Sequence, residues 1–131
     1  MKLNYRLNQE TDLPYHFVID MFKEDYQVVA AKPLFTKVTF DDLDPIYETD
    51  IHVGLLGDYD HDLPKNRLYK VLAYRLLIPL MRVFRLTEDR VYLHYEISND
   101  SEVICPGEFI DRKKLLTHIR AMIRRRPIAR K

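Results

Sequence analysis

The stretch NRLYKVLAYRLLIPLMRVF, residues 66–84, changes the rhythm of the chain. Leu68, Val71, Leu72, Leu76, Leu80 and Phe84 recur at spacings of three and four, the period of an amphipathic helix with one apolar stripe. Pro79 interrupts the pattern: it has no backbone N–H and its ring crowds the preceding turn, so the helix is expected to stop or kink near Leu77 or Ile78. Beyond it, residues 80–86 either continue the helix or form an extended arm that pairs with RVYLHYEI, and the arm is the favoured expectation.

On the N-terminal side of this helix the apolar period is two. LNYRL (3–7), YHFVIDMF (15–22), YQVVAA (26–31), LFTKVTF (34–40) and DIHVGLL (50–56) read as strands, with Asp- and Pro-containing DDLDPIYE (41–48) as an irregular connection. Their short connections favour antiparallel pairing. On the C-terminal side, RVYLHYEIS (90–98) alternates Val91, Leu93, Tyr95 and Ile97 on one face, and SNDS is expected to turn it into EVICPGEF (102–109) as a hairpin. The last element, DRKKLLTHIRAMIRRRP (111–127), has Asp111 as N-cap, a stripe of Leu115, Leu116, Ile119, Met122 and Ile123, and Pro127 as its stop. The expected fold class is α+β: a mainly antiparallel sheet, as a partial sandwich or barrel, covered by a central helix and a C-terminal amphipathic helix. Residues 1–131 are expected to form one domain, with 127–131 as a frayed tail.

Composition bounds the rest. With 131 residues, 47% hydrophobic and 31% charged, the chain can bury a core without staples, and its 3 glycines form no phosphate-cradling loop. The one cysteine, Cys105, excludes an internal disulfide and favours a reducing interior, so a cytoplasmic location is expected. LLIPLM (76–81) falls far short of the ~20 apolar residues of a membrane helix.

The net charge of +1 conceals segregation. Residues 41–62 carry eight acids and no Lys or Arg, residues 65–86 carry six bases and no acid, and residues 112–131 carry nine bases and no acid. Blocks of this kind make separate surfaces for separate partners, or complement one another.

GDYDHDLP (57–64) gathers Asp58, Asp60, His61 and Asp62. The spacing imitates the start of a calcium loop, but Leu63 stands where that loop needs glycine and Tyr69 where it needs a bidentate carboxylate. A metal-dependent phosphoesterase would use Asp58, Asp60 and His61, and GDYDHD is similar to metallophosphatase motifs whose partner motifs this chain lacks. As turn chemistry the stretch reads more simply: Gly57 leaves a strand, and Asp62 or a neighbour caps the helix that follows. Cys105 reads as a buried strand residue, and both serines, Ser98 and Ser101, lie in a turn with no nucleophile motif around them.

The second candidate is a basic strip on the C-terminal helix, Lys113, Arg120 and Arg124 with Arg125 and Arg126 beyond. Cations on a rigid rod can track phosphates, and they also stabilise the negative end of the helix dipole. The expected function is a non-enzymatic macromolecular binding or assembly module with acidic (41–62) and basic (65–86, 112–131) surfaces. A protein partner or self-association is favoured; nucleic-acid binding by the basic helix and a small metal-dependent phosphoesterase using Asp58, Asp60 and His61 are the alternatives, and no cofactor is expected.

Overall fold

The computed structural model describes residues 14–22 and 25–125, and the chain divides into two compact units, Met1–Gly57 with Ile97–Val103 and Asp58–Glu96 with Ile104–Lys131. The class is α+β, with a three-stranded sheet and several helices. The expected strand 3–7, the tail 127–131 and Arg126 lie outside the described residues.

The first unit is built on the sheet. Strands β1 (Phe17–Phe22) and β2 (Asp25–Ala30) are rich in β-branched residues and pair antiparallel, Phe17 opposite Ala30 and Phe22 opposite Asp25. Strand β3 (Val53–Leu55) joins the other edge of β1 in parallel, Phe17 opposite Val53 and Ile19 opposite Leu55. The sheet is therefore mixed, with β1 central. Val18 and Ile19 are both buried, and since neighbouring side chains point to opposite faces, the centre of β1 is covered on both sides.

The parallel pair overturns the expected antiparallel meander, and residues 34–40 show why. They form no strand. Their backbone groups are taken up elsewhere: Thr36 N–H bonds Pro33 O, Thr36 O accepts from the His16 ring, Val38 N–H bonds Glu48 O, and Phe40 O accepts from Leu43 N–H. A 3₁₀ turn, Pro45–Thr49, follows, with the Asp44 carboxylate accepting from Ile46 N–H. Residues 31–52 thereby become the long crossover that a parallel pair needs.

The second unit is helical. Helix α1 (Asn66–Val71), a π-helical segment (Leu72–Leu77) and helix α2 (Ile78–Phe84) form one uninterrupted rod. The rod does not end at Ile78, and the extended arm expected at 80–86 is absent. Instead the backbone widens just before Pro79, where Ile78 N–H bonds Ala73 O five residues back, and the proline enters within the first turn of α2. Ile78 and Met81 are buried, so core packing continues past the proline. The rod closes at Arg85, which is left-handed (φ 56°), with Leu86 N–H on Met81 O. At the other end, Lys65 occupies the N-cap without a side-chain bond, so the expected aspartate cap is not formed.

The hairpin expected from 90–98 and 102–109 is also absent. Residues His94–Ile97 form one turn of helix, α3, and only Leu93 of the expected inward face is fully buried. Side chains have claimed the backbone groups that a strand would need. The Glu96 carboxylate accepts Leu93 N–H at 2.6 Å, reaching back as the second half of a capping box, and Arg112 donates to Val91 O at 2.6 Å and to Glu96 at 2.8 Å. Cys105 is exposed rather than buried, with its carbonyl accepting Tyr95 N–H.

The last helix, α4 (Arg112–Arg125), matches expectation at its start and along its apolar face, while the expected stop at Pro127 lies outside the described residues. Asp111 caps it by accepting Lys113 N–H at 2.8 Å, and Leu115 and Ile119 are buried. Among the described residues no helix is long and apolar enough to cross a membrane.

Candidate functional site

The two units carry opposite formal charge, although Asp58, Asp60 and Asp62 of the acidic block belong to the basic unit. Met1–Gly57 with Ile97–Val103 carries twelve acids against five Lys and Arg, a formal charge of −7. Asp58–Glu96 with Ile104–Lys131 carries sixteen Lys and Arg against eight acids, a formal charge of +8.

The basic unit has a groove of about 390 Å³ lined by Glu88, Thr117, Arg120, Ile123 and Arg124. Helix period places its wall: Thr117, Arg120 and Arg124 follow at three and four residues along α4, on the side away from Leu115 and Ile119. Glu88 opens a 3₁₀ turn, Glu88–Arg90, and faces this wall. Arg120 meets it fork to fork: Nε lies 3.0 and 2.9 Å from the two carboxylate oxygens and Nη2 lies 2.6 Å from Oε1. This pairing holds the Glu88 carboxyl below its usual range and pushes the Arg120 guanidinium above its own. Arg124 is exposed and makes no hydrogen bond or ion pair among the described residues. The Thr117 hydroxyl donates to Lys113 O at 2.8 Å, which leaves its oxygen able to accept.

Of the basic residues expected at a site, Arg120 and Arg124 come together in this groove. Lys113 shares their side of the helix but does not line it, Arg125 is exposed outside the lining, and Arg126 lies outside the described residues. Glu88 carried no signal in the sequence, because its partner is 32 residues away.

GDYDHDLP is a turn closed by Asp62 N–H on Asp58 O at 2.9 Å. The His61 ring donates to the Asp58 carboxylate at 2.9 Å, and that bond, then the charge of Asp58, raises the histidine above its ordinary value. Asp60 instead accepts Glu108 N–H at 3.2 Å. Among the described residues no group of three or more His, Cys, Asp or Glu converges as metal ligands.

Three further histidines are built into polar networks. His16, fully buried, accepts His52 N–H on Nδ1 at 2.9 Å and donates from Nε2 to Thr36 O at 2.8 Å, while the His52 ring donates to Tyr47 O at 2.8 Å. Both rings bind backbone, which makes the pair a clamp on the crossover. His118 lies parallel to the Tyr69 ring and edge-on to Tyr74, with Nε2 donating to Asn66 Oδ1 at 3.1 Å. Burial, then the charge of Lys70, lowers its pKa.

The chain matches no family model, no curated protein and no solved structure.

Proposed function

We propose that this protein is a non-enzymatic binding module that joins other proteins through oppositely charged surfaces. The observation that carries this reading is the charge of the two units, −7 and +8 in a chain whose net charge is +1. Charge distributions of this size steer association and select partners by sign. Exposed apolar side chains in both units, among them Phe35 at 89%, Ile46 at 71%, Leu63 at 73% and Val83 at 73%, supply the contact area that charge alone does not.

Nucleic acid is the second reading, favoured by the exposure of Lys113, Arg120, Arg124 and Arg125 on one helix. One titration separates the two. Fluorescence anisotropy at low and high salt measures binding of the chain to labelled polyglutamate, labelled polylysine and a labelled RNA duplex. A module with segregated charge binds both polypeptides, and binding weakens with salt. Tighter binding to the duplex than to polyglutamate at equal charge replaces the protein reading with the nucleic-acid one. Binding to none of the three at low salt removes both.

A further inference from the structure

The α4 groove holds a carboxylate already, and it comes from the chain itself. Glu88 fills the Arg120 fork in the geometry an incoming carboxylate would take, with three N···O distances between 2.6 and 3.0 Å. The pair is open to water, its side chains 56% and 36% exposed, so its net contribution is small and a competing carboxylate can displace it. One helical turn on, Arg124 offers a second guanidinium with no partner among the described residues. Ile123 adds an apolar side chain to the lining.

We propose that this groove docks an acidic peptide segment of a partner protein, one partner carboxylate displacing Glu88 from Arg120 and another pairing with Arg124. The assignment rests on the binding-module reading and adds to it a site, a ligand chemistry and a built-in competitor. Charge complementarity selects the occupant, because the unit carries sixteen bases against eight acids. Ile123 favours a peptide with an apolar side chain over a sugar–phosphate backbone. Glu88 sharpens selection: a ligand must offer more than one contact to compete with a tethered carboxylate, so single anions are turned away and multivalent segments retained.

The test uses the full chain and a dye-labelled synthetic peptide of glutamates around a central isoleucine, read by fluorescence anisotropy. The wild type is expected to bind with a salt-dependent affinity. Arg124→Gln should weaken binding about fivefold, the size of one exposed charge contact, and Glu88→Gln should strengthen it by about the same factor. Lys65→Gln, which removes an exposed charge of the same unit outside the groove lining, should change nothing. Thermal melting of each variant verifies that it is folded, and Glu88→Asp, which shortens the reach to Arg120, is the second variant at that position. Equal weakening by Lys65→Gln and Arg124→Gln, with no gain from either Glu88 variant, overturns the groove and leaves the binding-module reading standing. Absence of any peptide binding at low salt overturns the groove, and if polyglutamate is also unbound the broader reading falls with it. Displacement of the peptide by an RNA duplex from wild type and Arg124→Gln alike also overturns it.

Discussion

The ring of His16 accepts the backbone N–H of His52 at 2.9 Å, and the two imidazoles lie nearly parallel, 20° apart with centroids separated by 5.9 Å. His16 precedes β1 and His52 precedes β3, so this bond and the return bond from His16 N–H to His52 O at 2.8 Å lock the start of the parallel pair. Because Nδ1 accepts and Nε2 donates, the ring is the neutral Nε2–H tautomer. Nitrogen NMR is expected to find an unprotonated Nδ1. His16→Phe keeps the bulk and strands His52 N–H and Thr36 O, and should cost about 2–4 kcal/mol in chemical denaturation.

Tyr69 performs the corresponding task in the helical unit. Its hydroxyl accepts Asp111 N–H at 2.9 Å and donates to Phe109 O at 3.4 Å, fixing the residue that caps α4 to the side of α1. Tyr69→Phe preserves the ring against His118 but strands the amide, with an expected loss of about 1–2 kcal/mol. Burial raises the phenol above its ordinary value. Ultraviolet titration should therefore show a late-ionising tyrosine that Tyr69→Phe removes.

Gly107 is buried with φ at 140°. A Cβ there would stand 2.5 Å from Tyr59 Cβ and 2.8 Å from the Tyr59 carbonyl carbon, so neither the backbone angle nor the space admits a side chain. Gly107→Ala should cost about 2–4 kcal/mol, combining strain and overpacking. A midpoint shift in urea with an unchanged slope would verify it, and a wild-type midpoint would refute it.

His61 and His118 should titrate on opposite sides of 6.5. His61 is raised by Asp58, so its stabilising contribution is present below 6.5 and lost as pH rises through the higher folded value. His118 is lowered by burial, so its contribution is present above 6.5 and lost as pH falls through the lower folded value. Proton NMR of the two rings measures both directions. Asp58→Asn should bring His61 down, and Lys70→Gln should move His118 part of the way up.

The elements read most directly from the sequence were those whose own pattern satisfies their backbone. α4 has an N-cap and an apolar stripe within one continuous segment, and β1 and β2 are neighbours in the chain. The misread segments, 34–40, 80–86 and 90–98, have alternation or a proline that argues for one structure while partners far along the chain impose another. Val38 N–H bonds Glu48 O, and Arg112 takes Val91 O. Period-two hydrophobicity describes which side chains want burial; it does not supply a strand to pair with.

By itself the sequence determined the α+β class, the capped C-terminal helix, the charge blocks and the basic strip containing Arg120 and Arg124. Those properties are local or compositional, set by periodicity, capping chemistry and formal charge. Tertiary structure alone decided that β3 pairs in parallel with β1, that the central rod passes through Pro79, that His16 clamps the crossover, and that Glu88 closes the groove over Arg120. Each of these depends on hydrogen bonds or packing between groups distant in the chain, or on a helical register that buried Ile78 and Met81 hold in place against the preference of a single residue.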